Sequence, residues 1–460
     1  MSPALLALAA LFLGAALQVR DGLYSPWAIA LLALSCASAA LLPLPVHRER
    51  VGERVGPPRD GRALSPALSL CTGRGRKSFA QGVLVAALLI QLVLLCTDFP
   101  GAHYVYRSTR DYWPFLVMIV VAIGLVLTIG TPRILFTSLL AIYLLAGAWV
   151  IRFTHAPKMD VFTFQRDACD ALLHGANPYA ITYPNVNGDE GAWVYGPGLV
   201  RDGRLLFGYP YMPVTLLWDV IGHVIVGDYR WMNLIAVAVA ATCIASLGRT
   251  RVSVCAAAML LFTPRGFYII EQGWTEPLQV MLMAATVVAA TRRWRVMPYL
   301  LGLLLVAKQY NVFLLILIPL LDRRPGTIMR ALITGAIVSL PLAAWDAKSF
   351  WHSAVALQFA QPFRTDSLSF AALAANLGLG EPPAWLAFVV ASIVAGLCLW
   401  KCHRSPASFA LAVSVTYLAF FATNKQAFAN YYFFVIGALC LCVASAENSC
   451  RPWETSDNTA

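Results

Sequence analysis

Carboxylates and cations that could act together lie in polar segments between long apolar stretches. Asp160 opens the largest of these segments, Lys308 interrupts an apolar stretch, and Arg364 lies in a third segment. A carboxylate can accept the proton of an attacking hydroxyl, whereas arginine and lysine can hold a phosphate. These residue types suit a reaction in which a base activates a hydroxyl and a group is transferred to it from an anionic lipid headgroup. Similar polar residues in the same kind of segment are Glu271, Gln272, Glu276, Asp366, Lys425 and Gln426.

The elements that must position these residues are membrane helices. The chain of 460 residues is 59% hydrophobic and 12% charged, and this charged share is roughly half that of a typical soluble protein. Apolar stretches long enough to cross a bilayer recur throughout, and a backbone in hydrocarbon must satisfy its own hydrogen bonds. Among the predicted spans are those near 3–18, 27–46, 81–98, 114–130, 133–153 and 406–422. We predict an all-α polytopic membrane protein with about 12–14 transmembrane helices and interfacial helices in a long extracytoplasmic loop.

The positive charge of the chain fits membrane topology better than a nucleic-acid partner. The net charge is +11, and segment 47–80 alone holds eight basic and three acidic residues. Lysine and arginine collect in cytoplasmic loops, so we place this segment inside and expect no nucleic acid as a partner. The eleven cysteines form no zinc or disulfide pattern, and the sequence predicts no metal and no cofactor.

A cytoplasmic segment 47–80 fixes the sides of the segments that follow. Residues 152–210 then lie outside as the largest polar segment there, and a tail from residue 447 lies inside. We therefore divide the chain into N-terminal helices up to residue 130, a membrane domain over 131–446 and the tail over 447–460.

The outer segment is expected to begin with a surface helix. Val161, Phe164, Ala168 and Leu172 fall at helical spacing, as do Phe162, Cys169 and Leu173, and polar residues occupy the other side. Such a helix, over 161–174, would lie on the membrane. Asp160 is our candidate general base at its start. The alternative is that Asp160 serves as the N-cap of this helix.

The middle of the chain presents a problem of parity. Three apolar runs, near 211–226, 231–248 and 252–264, lie between two segments that must both be outside. Only an even number of crossings is allowed there. Either the segment at Tyr209 is re-entrant or the run 252–264 spans half the membrane, and we favour the first.

Lys308 lies in the middle of an apolar stretch that has basic residues at both ends. A span from 298 to 321 cannot have both ends in the cytoplasm, and two arms of ten to thirteen residues are each too short to cross. We predict a broken hairpin with Lys308 near its tip, facing a cavity where it could contact phosphate. The alternative is a lysine that extends to the membrane interface.

The remaining candidates each have an ordinary structural explanation. Glu271 and Glu276 could be second acids or helix caps, and Arg364 could form a surface pair with Asp366. Tyrosines in the outer segment could stack on a sugar or belong to an interfacial aromatic belt. The residues that we assign to substrate or phosphate binding are Lys308, Arg364, Gln272, Glu271, Tyr209, Tyr211, Lys425 and Tyr431.

Several short motifs resemble those of a known enzyme family. After Asp160 come Leu-Leu-x-Gly-x-Asn-Pro-Tyr at 172–179 and Tyr-Pro-x-x-Pro at 209–213. Gln272-Gly273, the arm from Gly302 to Lys308 and Asn430-Tyr431-Tyr432 follow. Over residues 133–446 the chain resembles the polyprenol-phosphate-mannose-dependent mannosyltransferases of glycosyltransferase family 87, in the GT-C superfamily.

The resemblance implies a fold, a reaction and a set of partners. It implies a GT-C-like bundle and inverting transfer of a sugar, expected to be mannose, from a polyprenyl-phosphate donor to a lipid or glycan acceptor in contact with membrane lipids. Asp160 matches the family's general base. The multi-pass protein would lie in the cell membrane with an extracytoplasmic active site. Two features depart from the family: its Tyr-Pro-Pro reads Tyr-Pro-Tyr-Met-Pro here, and several spans precede the loop.

Two other classes of function fit the same residues. A transporter or flippase of polyprenyl-linked lipid needs a charged cavity but no base, although no internal repeat of the kind found in transporters is visible. A membrane scaffold whose outer segment binds a partner is the third possibility.

Overall fold

Helices form nearly all the regular structure of the protein. The computed structural model describes residues 2–42, 73–100, 109–154, 156–188 and 191–448. Most of the segment predicted to be a cytoplasmic loop, 47–72, lies outside the described residues, as does the tail from 449. Residues 73–80 of that segment are helical, so the third helix begins earlier than the predicted residue 81.

The first five helices match the predicted spans closely. Proline at the first or second position begins four of them, where its missing N–H costs no hydrogen bond. α1 packs between α2, α3 and the last long helix. The bounds are α1 Pro3–Val19, α2 Pro26–Ala40, α3 Gly73–Thr97, α4 Trp113–Thr128 and α5 Pro132–Phe153.

The outer segment folds into a surface helix and a small β-ribbon. Helix α6 spans Asp160–Leu173, as the periodicity predicted, and buries Val161, Phe164 and Ala168. Leu173 was expected on the buried side but is half exposed. After α6 come β1 Tyr183–Pro184, α7 Gly191–Tyr195, β2 Val200–Arg201 and β3 Arg204–Leu205, with the strands in the order β1-β3-β2, all antiparallel.

The next helices agree with the favoured solution of the parity problem. α8 spans Pro213–Val226, about 21 Å long and too short to cross a core of about 30 Å. α9 spans Arg230–Gly248, and α10 Arg251–Leu261 continues into α11 Gly266–Gln272 through a 43° bend.

The predicted broken hairpin is present. α12 Glu276–Thr291 leads into α13 Met297–Leu305, a break at Lys308 and α14 Val312–Leu321. The Asn311 side chain donates to the carbonyl oxygen of Leu304, and Leu301 packs against Ile318, so the two arms run antiparallel. The arms have nine and ten residues, slightly shorter than expected.

The remaining helices complete the bundle. The long helix α15 packs along α13, and the last helix α21 is the most buried of the long apolar helices. The bounds are α15 Pro325–Trp345, α16 Ala347–Phe350, a π-helical turn Trp351–Ala356, α17 Leu357–Ala360, α18 Phe370–Asn376, α19 Trp385–Lys401, α20 Pro406–Ala422 and α21 Ala429–Asn448.

These helices make the protein an all-α polytopic membrane protein. Within the described ranges five helices are long and apolar enough to cross a membrane, and the bent pair α10–α11 is a sixth candidate. Eight further apolar helices of 10–17 residues accompany them, counting α14 with the short turn before it. Together they make fourteen apolar segments in the described ranges, of which five or six have the length to cross, whereas 12–14 transmembrane helices were expected.

Side-chain contacts define the two ends of the bundle. Arg230 at the start of α9 donates to the carbonyl oxygens of Ile151 and Glu271, so the ends of α5 and α11 lie beside it. We call this the site end, because Asp160 follows α5 directly. α8 lies between Tyr211 and Arg230, so both of its ends are at the site end. α8 therefore does not run from one end of the bundle to the other.

The other end of the bundle is rich in arginine. Arg251 donates to the carbonyl oxygen of Val126 at the end of α4, and Arg292 donates to that of Ser246 near the end of α9. We call this the opposite end. Arg133 at the start of α5 belongs to it, since α5 ends at the site end.

Candidate active site at the site end

Asp160 is the first residue of α6 and its carboxylate is firmly held. The N-cap of α6 is Met159, so the alternative explanation of Asp160 as the cap is wrong. Oδ1 accepts a hydrogen bond from the backbone N–H of Val161 at 2.7 Å. Oδ2 accepts one from the hydroxyl of Tyr195 at 2.6 Å. Both the helix N-terminus and the phenol favour the ionised carboxylate.

Tyr195 is placed by the compact fold of the outer segment. It ends the short helix α7 and is 2% exposed, with its ring packed against Phe164 and Phe207. Its hydroxyl oxygen also accepts a hydrogen bond from the side chain of Asn187 at 2.9 Å. Burial raises the pKa of Tyr195 further above its ordinary value, so the phenol stays protonated and remains a donor.

The surroundings of Asp160 make its carboxylate a stronger base than a free aspartate. Burial raises the pKa of Asp160, while the hydrogen bonds from Tyr195 and Val161 and the charge of Arg364 lower it, and burial prevails. The residue itself is half buried, so the carboxylate lies at the edge of the protein interior. A carboxylate whose pKa is raised accepts a proton from a hydroxyl more readily than a free aspartate does.

Arg364 comes to the same place from a distant segment. Its Nε and Nη2 atoms each donate to the carboxylate of Asp366 at 2.7 Å, and its guanidinium stacks over Trp193 at 4.3 Å. The pair with Asp366 was expected as one alternative, but the arginine is largely buried rather than on the open surface. Within the described chain Nη1 donates to no acceptor, which leaves it available to an anion.

Lys308 is a buried partner of a buried carboxylate. It is 5% exposed, and its Nζ lies 2.9 Å from Oε1 of Glu276 and 4.5 Å above the ring of Tyr211. Lys308 is therefore enclosed by protein side chains. Its backbone is extended in the break between α13 and α14. The second oxygen of Glu276, Oε2, is buried and accepts no hydrogen bond from the described residues.

A chain of buried polar side chains lies beneath this pair. The hydroxyl of Tyr310 donates to Gln279 at 2.8 Å, and Gln279 donates to Asn311 at 2.6 Å. The hydroxyl of Tyr417 contacts Asn311 from α20. These residues link α12, the hairpin tip and α20. The break at Lys308 is thus fixed by side chains on three sides.

Tyr211 lies near both Asp160 and the ion pair of Lys308 with Glu276. Burial, and then the negative charges of Asp160 and Glu276, raise the pKa of the Tyr211 hydroxyl. Tyr211 therefore lies within electrostatic range of both carboxylates while its ring faces Lys308. Tyr431 lies nearby, packed against Tyr310. Asp160, Tyr211, Lys308, Arg364 and Tyr431 were all predicted for one site, and the structure brings them to one region.

Three other predicted site residues serve the surrounding fold. Glu271 accepts a hydrogen bond from the Thr154 hydroxyl at 2.6 Å, and Gln272 donates to Glu271. Both belong to the network around Arg230. The Tyr209 hydroxyl donates to Gln165 on α6 at 2.6 Å, so it supports the site helix from below.

Lys425 is also used by the fold. Its ammonium donates to the carbonyl oxygen of Gln361 at 2.6 Å and to that of Phe359 at 3.3 Å. Burial lowers the pKa of Lys425. Its backbone carbonyl in turn accepts from the N–H of Arg364. Lys425 therefore positions the segment that carries Arg364, and it does not point a free charge at a ligand.

Sequence reasoning missed two residues of the site. Tyr195 was noted only as an aromatic residue of the outer segment, and no spacing indicated its contact with Asp160. Asp219 was overlooked, although a lone carboxylate in the apolar run 213–226 is a usable signal. It is 1% exposed on α8, within electrostatic range of Lys308, and its Oδ2 accepts no hydrogen bond from the described residues.

The side chains of the site are suited to acid–base chemistry and to anion binding. Among the residues that the structure describes, no group of three histidine, cysteine, aspartate or glutamate side chains could hold a metal ion. What the arrangement offers is one activated carboxylate, two cations and several tyrosine rings around them.

Comparisons with known proteins add no relative to this description. The chain matches no protein family, no curated protein and no solved structure. The likeness to glycosyltransferase family 87 therefore rests on the short motifs of the sequence, and the chemistry must be argued from the site itself.

Proposed function

We propose that the protein is an integral membrane glycosyltransferase that moves a sugar, mannose in our proposal, from a polyprenyl-phosphate donor to a lipid or glycan acceptor. The reaction inverts the anomeric centre and takes place on the extracytoplasmic side of the cell membrane. Support for this side comes from the opposite end, where six arginines lie in short segments that contain no acidic residue, as is typical of cytoplasmic loops. Those arginines are Arg133, Arg249, Arg251, Arg292, Arg293 and Arg295.

The observation that carries the proposal is the position of the Asp160 carboxylate. It is fixed by Tyr195, its pKa is raised by burial, and cations from two distant segments lie in the same region. An aspartate that only begins a helix does not need a buried phenol or nearby cations. A general base does need such a partner to orient it, and a phosphate leaving group needs cations beside it.

In the proposed reaction Asp160 accepts the proton of the acceptor hydroxyl as its oxygen bonds to the anomeric carbon. The bond between that carbon and the phosphate oxygen breaks, and its electron pair leaves with the polyprenyl phosphate. Nη1 of Arg364 and the two remaining N–H donors of Lys308 would stabilise the leaving phosphate. Tyr211 and Tyr431 would contact the sugar. The long helices supply the apolar surface that the polyprenyl chain requires.

The test uses the full-length protein in proteoliposomes with a radiolabelled polyprenyl-phosphate mannose and a membrane lipid extract. Asp160→Asn should fold and bind the donor but transfer sugar at least about 100-fold more slowly, the usual contribution of a general base. Asp167→Asn is the matched control on the same helix, since among the described residues Asp167 forms an ion pair only with its exposed neighbour Arg166. Undiminished transfer by Asp160→Asn would remove Asp160 from the mechanism.

One observation favours transport as the second candidate function. Ionisable groups buried among apolar helices are typical of ion and proton pathways, and Lys308, Glu276 and Asp219 form such a group. A carrier would move the labelled lipid across the vesicle without forming a product. In the same proteoliposomes, translocation without a new labelled product would favour the carrier over the transferase.

A further inference from the structure

A cavity with a mainly apolar lining and arginines at its edge lies at the opposite end of the bundle, away from Asp160. It has a volume of about 440 Å³ and opens between the start of α5, the end of α9 and the start of α10. Its lining includes Arg133, Arg249, Thr242, Ser246, Phe136 and Val254. Nothing in the proposed transfer reaction uses this cavity.

Two arginines make the opening of the cavity positively charged. The side chains of Arg133 and Arg249 are exposed, and neither forms an ion pair or a side-chain hydrogen bond within the described ranges. Arg292 adds a third positive charge at the rim, where it donates to the carbonyl oxygen of Ser246 at 3.1 Å. Among the residues that the structure describes, no carboxylate lines the cavity, so none of them balances this charge there.

The inner part of the cavity is apolar. Phe136 and Val254 line it, and α5 next to it presents Ile134 to the surroundings with 54% of its surface exposed. The hydroxyls of Thr242 and Ser246 donate to carbonyl oxygens of their own helix. A ligand that fills the cavity must therefore be anionic at one end and apolar at the other.

We propose that this cavity binds the phosphate headgroup of an anionic phospholipid. Arg133 and Arg249 contact the phosphate, and the first acyl carbons pack against Phe136 and Val254. Basic pockets between helices at the cytoplasmic side of a membrane suit anionic headgroups, and the lipids of that leaflet carry the charge. A free phosphate would leave the apolar wall without contacts. The lipid site is independent of the reaction proposed at Asp160.

The test is native mass spectrometry of the full-length protein in non-ionic detergent. The probes are dihexanoyl phosphatidylglycerol, dihexanoyl phosphatidylcholine and inorganic phosphate. The double variant Arg133→Gln/Arg249→Gln should weaken the phosphatidylglycerol Kd at least tenfold. Arg293→Gln/Arg295→Gln is the matched control, because it removes the same charge from exposed positions at the same end. Arg133→Lys/Arg249→Lys should keep most of the affinity.

Each result decides the proposal. The proposal is supported if the wild-type protein prefers phosphatidylglycerol over both other probes. This preference should be lost in the glutamine variant and kept in the control. Equal binding of phosphatidylcholine by the wild-type protein would overturn it without any variant. Inorganic phosphate bound as tightly as phosphatidylglycerol would overturn the lipid assignment in favour of a free anion. An unchanged Kd in the glutamine variant, verified as folded by size-exclusion chromatography, would show that the arginines are not the site.

Discussion

The hydroxyl of Tyr195 donates a hydrogen bond of 2.6 Å to Oδ2 of Asp160 across 35 residues of sequence. The donor lies on the short helix α7 and the acceptor on the first turn of α6, so the contact exists only when the outer segment is folded. Because the phenol is buried and stays protonated, it can orient the carboxylate as a donor and leaves it free for the role as a base that we propose. The other carboxylate oxygen is held by the backbone of α6.

We expect Tyr195→Phe to shift the acid limb of the transfer rate to higher pH. The hydrogen bond from Tyr195 favours the ionised carboxylate and lowers the pKa of Asp160, so its loss raises this pKa further. Asp160 acts as a base only above its pKa, and the rate then falls at a higher pH than in the wild type. At neutral pH we expect a loss of about tenfold, equivalent to a charge-assisted hydrogen bond of about 1.5 kcal/mol.

The measurement is the pH dependence of kcat/KM for both proteins. Tyr183→Phe is the control, since the hydroxyl of Tyr183 donates to the carbonyl oxygen of Phe164 and not to Asp160. An acid limb at the same pH in Tyr195→Phe and the wild type would contradict the role of the phenol.

Lys308→Met should destabilise the protein, and Glu276→Gln should rescue it. Removal of the lysine leaves a carboxylate with 0% exposure and no cation beside it, which costs about 3–5 kcal/mol in the free energy of unfolding. The double variant removes both charges and should recover most of this loss. Chemical unfolding in detergent of the four proteins of the double-mutant cycle measures the coupling. Full stability of Lys308→Met alone would show that the ion pair is not needed.

Arg364→Lys should weaken donor binding while the fold is kept. A lysine cannot make the paired hydrogen bonds to Asp366 or stack flat on Trp193, so the charge at the site loses its fixed position. We expect the KM for the donor to rise about tenfold with a smaller change in kcat. Arg201→Lys is the control, because Arg201 is exposed on β2. An unaltered KM in Arg364→Lys would exclude Arg364 from the donor site.

Gly208→Ala should disrupt the site although it lies outside it. A Cβ on Gly208 would collide with the backbone of Tyr179, and the N–H of Gly208 donates to the Ser353 hydroxyl at 2.8 Å. Since neither backbone can yield, we expect a loss of stability of about 2 kcal/mol or more and of most of the activity. Gly198→Ala is the matched control in the same segment, where nothing lies within 4 Å. Equal thermal stability of the two variants would refute the argument.

Much of the fold was predictable because membrane helices follow from composition. The predicted span 133–153 is found at Pro132–Phe153, and 406–422 is found at Pro406–Ala422. The broken hairpin followed from two basic ends and one lysine between them. α6 followed from its periodicity.

The lateral arrangement of the site was not predictable in the same way. Charge and apolar length fix the depth of a residue in the membrane, but they do not fix its neighbours in the plane. Glu271 was therefore placed with Asp160 because both belong to one end, whereas it pairs with Thr154 beside Arg230. The contact between Tyr195 and Asp160 depends on the path of a loop, and a loop has no hydrophobic periodicity from which its path could be predicted.

The short hairpin α13–α14 also bears on how the chain is assembled. Nine and ten residues are too few for either arm to be inserted alone as a stable span. The hairpin must therefore enter between α12 and α15 as one unit, and the contact between Lys308 and Glu276 closes only then. Insertion of the hairpin therefore carries the charge of Lys308 into the interior of this protein, where its partner Glu276 on the preceding helix α12 is already present in the chain.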